Sequence, residues 1–400
     1  MSAIPQPEPQ QPRLITGRRE GERVTPLELF FDLVFVLAIT QCTALMSHHP
    51  TWSGVGQGLL VLGVMWWGWV GYSWLTSVID PEEVAVRLAI FAAMAALLIV
   101  ALCVPEAFGD LALTFALAYG VFRVAHIALF VLASAEEDAL RHSVLGLAVS
   151  TALAVALLAL ASLFDGLAQG ALWALALFID MGGPYLFGAE GWRLVPGHFA
   201  ERHGLIVIIA LGESIVAIGV GAAGHLDLGI GTAAVLGVAL AAALWWSYFD
   251  VVALVSARRL IEAEPGRAQN ELARDSYSYI HFALVAGIVL AAFGIKLTIG
   301  HHADHLHTVP AFALLGGVAV YLLGLVGFRY RHVHTISRRR LGLAIVLLLL
   351  IPVATEIPAL LSLAIVDLLL VVVIVLDTRS YGDGRQQLRE EASVSHAETA

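Results

Sequence analysis

Charged residues are scarce in this chain of 400 residues: they make up 14% of it, whereas a soluble domain has about 25%. Hydrophobic residues reach 59%, and the mean hydropathy is +0.84. The apolar residues come in repeated runs of about 20, the length that crosses the core of a bilayer. This composition excludes an ordinary soluble domain and predicts an all-α, polytopic membrane protein that is embedded in a lipid bilayer.

The sequence also lacks the motifs of familiar enzyme classes. It contains no G-x-x-x-x-G-K-[ST] phosphate loop and no H-E-x-x-H, Cys-x-x-Cys or G-x-S-x-G motif. These absences exclude a built-in ATP motor and leave no nucleophile–base pair to support catalysis. We therefore expect a protein that is not an enzyme and uses no cofactor. Its expected partner is an unidentified ion or small solute rather than nucleic acid, and a homodimer stays open.

Cysteine is nearly absent, with Cys42 and Cys103 as its two occurrences. Both fall at the outer ends of predicted helices. A disulfide across that face and two free thiols are both compatible with the sequence.

The apolar runs predict twelve membrane spans. Residues 1–24 are rich in Pro and Gln and lack the apolar run of a signal peptide, so we expect a disordered cytoplasmic tail there. Residues 379–400 are expected to form a second cytoplasmic tail. The predicted spans are 27–46, 53–79, 84–104, 108–133, 141–163, 167–187, 203–222, 228–256, 276–298, 309–328, 341–356 and 358–376.

The distribution of basic residues predicts the orientation. With the N-terminus in the cytoplasm, the predicted outer loops carry no arginine, and the single lysine, Lys296, falls at the outer end of its span. An excess of Arg on one side marks the cytoplasmic side of a membrane protein. The pattern therefore predicts an even number of spans with both termini cytoplasmic. Arginines assigned to that side include Arg23, Arg193, Arg202, Arg258, Arg274, Arg331, Arg340 and Arg385.

Five short matches recur in the same order in the two halves. They predict two six-helix repeats, at residues 25–190 and 200–378, which run in the same direction because six is even. Chance similarity between apolar sequences is the open alternative. The matched pairs are Asp32 with Glu213, Trp66-Trp67 with Trp245-Trp246, Phe122-Arg123 with Phe328-Arg329, residues 145–148 with 341–344, and 178–180 with 375–377.

Two carboxylates, Glu28 and Asp32, lie within the apolar first span and share one helical face, because they are four residues apart. An acid inside hydrocarbon is costly and is usually paired, protonated or placed on a water-filled path. We therefore interpret both as candidates for an ion or substrate pathway. Glu28 has a second interpretation, because Thr25-Pro26-Leu27-Glu28 is also the pattern of a helix capping box.

Glu213 is placed near the middle of predicted span 7. If the repeat holds, Asp32 and Glu213 occupy equivalent positions and face one cavity, an arrangement suited to a proton or cation path. Arg123 is a candidate to neutralise either acid, and His126 shares its face at i, i+3. Structural ion pairing is the alternative for this pair.

Three further residues complete the pathway candidates. Tyr277 and His281 share a face at the start of predicted span 9, where an interfacial position is the alternative. Asp367 lies in the middle of predicted span 12. An outer loop is rich in metal-ligand residue types and is a weak candidate for a metal site, with a plain solvated loop as the alternative. Its residues are His301, His302, Asp304, His305 and His307.

The segment from Thr25 to Thr40 resembles the signature of the bacterial low temperature requirement A family, and so does the segment from Glu201 to Ile215. The resemblance extends over about residues 20 to 380. It implies a bacterial inner-membrane protein with a role in growth in the cold.

The first span has a second likeness. The spacing of Phe30, Asp32, Phe35 and Thr40 is similar to the F-S-D first-helix signature of a potassium-channel family that is also built from six-helix units. The chain departs from that signature, because Phe31 replaces the Ser and Pro26 stands where that family carries an Arg.

These observations lead to one expected function and two alternatives. A secondary transporter of an ion or small solute, proton-linked through Asp32 and Glu213, is the leading interpretation. A cation channel with the first and seventh helices lining the pore is the second. In the third, the protein is a membrane sensor or assembly factor whose buried acids only hold helices together.

Overall fold

The computed structural model describes residues 23–134, 138–186, 191–192, 194–222 and 226–380. Helices dominate this part of the chain, and it contains no β-strand. The predicted tails fall almost wholly outside it. We label α1 to α12 the helices that correspond to the predicted spans. They are α1 Pro26–His48, α2 Trp52–Thr76, α3 Val84–Cys103, α4 Ala112–Ala133, α5 Asp138–Ala161, α6 Gly166–Leu186, α7 Pro196–Gly221, α8 Leu228–Phe249, α9 Arg267–Gly300, α10 Thr308–Val333, α11 Arg338–Ala354 and α12 Ala359–Ser380.

The predicted all-α membrane bundle is confirmed. In the described ranges, 11 helices are long and apolar enough to cross a membrane. Large apolar side chains such as Phe178, Val235 and Leu368 are exposed on the outside of the bundle. Such a surface suits contact with lipid, whereas a soluble protein rarely exposes large continuous apolar patches.

Helix α11 has 17 residues and is not among these 11 membrane-spanning candidates. The start of α12, which follows α11 after a short turn, is fixed against the loop between α9 and α10. The N–H of Ala359 donates to the C=O of Asp304 at 2.8 Å, and the N–H of Leu360 donates to the C=O of His302 at 3.2 Å. Because α10 leads away from that loop and α11 returns to it, α11 runs the depth of the bundle beside α10.

Three predicted boundaries are wrong by about two turns or more. Helix α7 begins at Pro196 instead of residue 203, with proline in the first turn, where its missing N–H costs nothing. Helix α9 begins at Arg267 instead of residue 276, because its first turns are polar and contain a π-helical segment, Arg274–Ile280. Predicted span 8 breaks after Phe249, and a separate helix, Val252–Glu262, follows it; we call it the connecting helix.

The two halves share their helix neighbours. In the first half α1 packs on α2 and α3, α3 on α4, α4 on α5, α5 on α6, and α6 on α2. In the second half α7 packs on α8 and α9, α9 on α10, α10 on α11, α11 on α12, and α12 on α8. This is the packing that a duplicated six-helix unit would have, and the duplication itself stays a prediction. The two halves meet where α1 packs against α7 and α9, with further contacts from α2.

Glycines allow α9 and α10 to approach closely. A methyl group added at Gly294 would lie 2.6 Å from the backbone N and Cα of Leu314, and one added at Gly287 would lie 2.6 Å from the backbone N of Tyr321. Small residues at such contacts let helix backbones pack tightly in membranes.

We therefore expect Gly294→Ala to reduce the free energy of unfolding by about 1–3 kcal/mol, the usual cost of overpacking. Gly212→Ala is the matched control, because that helical position has open space around it. The measurement is the thermal unfolding of both variants in detergent. Equal stability of Gly294→Ala and the wild type would contradict the tight α9–α10 contact.

Candidate functional site

Buried polar side chains follow the contact between α1 and α7. We call this group the α1–α7 seam; its residues are Glu28, Asp32, Thr40 and Thr43 on α1 and His198, Arg202 and Glu213 on α7. All of them except Thr40 are buried. The residues on each helix recur at intervals of about three to four or their multiples, so each set lies on one face. The seam is where the two predicted repeats meet.

We call the level of Glu28 and Asp32 the lower part of the seam and the level of Glu213 the upper part. Arg202 lies at the centre of the lower part and is fully buried. One terminal nitrogen of its guanidinium lies 2.6 Å from Oδ1 of Asp32. The other lies 3.4 Å from Oε1 of Glu28 and donates to the hydroxyl of Thr76 at 2.9 Å. The group also lies over the ring of Trp69, whose indole N–H donates to Asp32 at 2.8 Å. Arg202 therefore joins both acids of α1 to α7.

The capping-box interpretation of Glu28 is confirmed, and its role in a pathway stays a prediction. Its carboxylate accepts from the backbone N–H of Thr25 at 2.9 Å, which completes the predicted capping box. The other carboxylate oxygen lies 2.8 Å from Nε2 of His198. The Nδ1 atom of His198 in turn lies 3.2 Å from the hydroxyl of Ser77. Glu28 therefore both caps α1 and links it to α7.

Asp32 has an unsatisfied oxygen. While Oδ1 accepts from Arg202 and Trp69, Oδ2 has no hydrogen-bond partner within the described residues. Buried carboxylate oxygens are nearly always hydrogen-bonded in folded proteins. The position is therefore a site where a proton, an ion or a polar solute could be accepted.

Glu213 occupies the upper part of the seam, nearer the C-terminal end of α7 than the predicted mid-span position, because α7 begins early. The hydroxyls of Thr40 and Thr43 donate to its two carboxylate oxygens, each at 2.5 Å. Lys296 of α9 contributes a positive charge in the vicinity. Within the described part of the chain, the hydrogen bonds of Glu213 are those from these two hydroxyls. Its direct partners are neutral groups.

The sequence predicts that Asp32 and Glu213 face one cavity. The structure places both acids on the same helix contact but at two levels. Thr40, which binds Glu213, is eight residues beyond Asp32 along α1, or about 12 Å at the rise of an α-helix. Each acid has its own partners.

Arg123 does not neutralise either acid of the seam. It forms a buried ion pair with Asp180 of α6 and also donates to Thr151 of α5 at 2.7 Å and to the hydroxyl of Tyr119 at 2.8 Å. This network joins α4, α5 and α6. The carboxylate of Asp180 is buried in this network. His126 is also buried, one turn from Arg123.

Tyr277 and His281 are both buried, so their side chains face the interior of the bundle. They belong to an aromatic and imidazole cluster that also contains His203 of α7 and His332 of α10. The ring centroids of Tyr277 and His332 are 5.7 Å apart, those of His203 and Tyr277 are 5.2 Å apart, and those of His203 and His281 are 5.4 Å apart. His203 in turn contacts Trp69 at 4.9 Å. The cluster therefore connects the arginine-rich end of the bundle to the seam.

The remaining candidates stand apart from the seam. Asp367 is buried in α12, and neither of its carboxylate oxygens has a hydrogen-bond partner within the ranges described. In those ranges no three His, Cys, Asp or Glu side chains come together as a metal site, and this includes the loop from His301 to His307. Cys42 and Cys103 are buried free thiols.

The chain is similar to a known protein family and to a bacterial protein. The family described as "Bacterial low temperature requirement A protein (LtrA)" matches residues 23–375. An uncharacterized protein from Rhizobium meliloti (strain 1021) is 31% identical over 336 residues, which cover 78% of this chain and 80% of that protein. No solved structure matches the chain significantly.

Proposed function

This chain belongs to the bacterial low temperature requirement A family, and from that premise we propose that it is a secondary, proton-linked transporter of an ion or small solute. We place it in the inner membrane with both termini in the cytoplasm, on the arginine distribution. The alternatives are a cation channel and a membrane sensor or assembly factor, and the experiments below distinguish them from a transporter.

The observation that carries the proposal is the environment of Glu213. A buried carboxyl held by two hydroxyls can exist in a protonated or an ionised form, because a Thr hydroxyl both donates and accepts. The ionised form accepts from both hydroxyls, and the protonated form donates to one of them after that hydroxyl turns. An acid paired with arginine lacks this freedom. Glu213 is therefore our candidate for the proton-carrying group.

The lower part of the seam supplies the second element of the proposal. Arg202 binds two acids that lie one helical turn apart, at 2.6 Å and 3.4 Å. A shift of α7 relative to α1 would change how the guanidinium is shared between Asp32 and Glu28. Sliding or rocking of one repeat against the other is how many transporters alternate access. Arg202 would then keep the two repeats in register.

A proton also needs a route to the seam. The cluster of His332, Tyr277, His281 and His203 begins near the arginine-rich end and reaches Trp69, which donates to Asp32. Imidazole and phenol groups are common members of proton relays in membrane proteins. We propose this cluster as a route for protons as far as the level of Asp32, about 12 Å along α1 from the level of Glu213.

The first test is a binding screen by thermal shift on the detergent-purified protein, with ions and metabolites at two pH values. A ligand of the native state raises its stability by RT ln(1+[L]/Kd). We expect at least one solute to stabilise the wild type more at one pH than at the other. In Glu213→Gln the shift should become equal at both pH values, because the titrating group is gone.

Glu356→Gln is the matched control, because Glu356 is exposed in the turn between α11 and α12. It should behave as the wild type does. A pH-dependent shift that survives in Glu213→Gln would remove Glu213 from the mechanism. The absence of any stabilising solute would favour a membrane sensor or assembly factor.

A further inference from the structure

A separate cavity lies at the arginine-rich end of the bundle, between α2, α4 to α6 and α9. Its empty volume is about 510 Å³, including its opening to solvent. No residue of the α1–α7 seam lines it. Its walls include Trp67, Trp74, Trp192, Phe130, His126 and Arg274. The cavity therefore needs an explanation other than the proposed proton path.

His126 gives the first indication of a ligand. It is fully buried and lines the cavity, with its ring packed against Gly71. Neither of its ring nitrogens makes a well-aligned hydrogen bond to any residue that the structure describes. A neutral imidazole carries one donor and one acceptor, and buried polar groups of this kind are normally satisfied. His126 thus offers an unused hydrogen-bonding group to the cavity.

Charge gives the second indication. Of the residues that the structure describes, the lining contains two arginines, Arg123 and Arg274, and no acidic side chain. The Nε atom of Arg123 has no partner within the described residues, whereas its terminal nitrogens bind Asp180 and its neighbours. Arg274 pairs with Asp275 at 2.8 Å, and that acid is shared with Arg331 at 3.1 Å. Among the described residues, the three arginines at and beside the cavity therefore outnumber by one the two acids that pair with them, Asp180 and Asp275.

The apolar walls give the third indication. Trp74 and Trp192 meet edge to face with their ring centroids 5.6 Å apart, and Phe130 meets Trp192 at 5.1 Å. Flat aromatic walls with a few convergent polar groups are typical of sites for small organic molecules. We propose that this cavity binds an organic anion, a carboxylate carried on an apolar body of about the size of an aromatic ring.

In this arrangement the ring of the ligand packs against the aromatic wall that Trp74, Trp192 and Phe130 form together. The carboxylate accepts hydrogen bonds from His126 and from Nε of Arg123 and is attracted by Arg274. The binding inference stands without the transport proposal, because it uses neither Glu213 nor Asp32.

The test is isothermal titration calorimetry of the detergent-purified full chain with three probes that share one ring: benzoate, benzamide and benzylamine. They are negative, neutral and positive at pH 7. We expect benzoate to bind at least about tenfold more tightly than the other two, since charge-assisted hydrogen bonds are the stronger ones. His126→Phe should weaken benzoate binding by about tenfold or more.

A steric variant keeps the test decisive if His126→Phe fails to fold. Leu147 is buried and lines the cavity, whereas Leu145 on the same helix is 51% exposed on the outer surface. Leu147→Trp should abolish benzoate binding, and Leu145→Trp should bind as the wild type does. Equal or tighter binding of benzamide or benzylamine would overturn the proposal. So would the absence of benzoate binding to the wild type, or its persistence in Leu147→Trp.

Discussion

Arg202→Met is expected to lower the free energy of unfolding by about 3–5 kcal/mol, the cost of breaking a buried ion pair by removing one partner. Methionine fills much of the same space but supplies no charge. Glu28 and Asp32 then remain buried next to each other without their shared cation. The measurement is the thermal unfolding of the purified protein in detergent. Stability equal to that of the wild type would contradict the central position of Arg202.

A charge-neutral variant separates lost pairing from lost packing. Arg202→Met combined with Glu28→Gln and Asp32→Asn should recover most of the stability, because replacing a whole buried ionic group is often close to neutral. Arg259→Met is the matched surface control. Its guanidinium is 55% exposed in the connecting helix and pairs with Glu262. That variant should stay within about 0.5 kcal/mol of the wild type.

The fold was largely predictable because its signals are local. Apolar runs of bilayer length mark most of the helices, and the capping box at Thr25 and Glu28 marks the start of α1. The failures lie where polar residues enter the bundle. Sequence reasoning assigned Arg202 to a cytoplasmic loop because it counted arginines by side of the membrane. Helix α7 instead begins at Pro196 and carries that arginine inward.

The sequence predicted the acids of the site but not the residues that bind them. The apolar runs identify Glu28, Asp32 and Glu213, because a charge in such a run is conspicuous. Their partners were missed. A signal for them exists, since His198 and Arg202 are four residues apart behind a helix-starting proline and so share a face.

Pairs between helices are harder to predict. Nothing in the spacing of Arg123 and Asp180, on α4 and α6, shows that they meet. Nor does the sequence show which oxygen of Asp32 stays unsatisfied. Both depend on how helices that are distant in sequence pack together.

The second large effect concerns proton coupling. In Glu213→Gln the carboxyl becomes an amide that can still hydrogen-bond to Thr40 and Thr43 but cannot release a proton. We expect the fold to survive and solute-driven proton movement to fall by about tenfold or more, because the amide cannot replace an intramembrane proton-carrying acid. Glu356→Gln changes an exposed acid in the same way and should leave the movement unchanged.

The central claim is tested most directly in proteoliposomes that contain a trapped pH-sensitive dye. Gradients of one ion or solute at a time are imposed on the wild type, Glu213→Gln and Glu356→Gln. Proton-linked transport predicts a pH change that saturates with solute concentration in the wild type and in Glu356→Gln and is lost in Glu213→Gln. A flux that does not saturate and is unaffected by Glu213→Gln would instead indicate a channel. The absence of flux for every solute would contradict transport and favour a sensor or assembly factor.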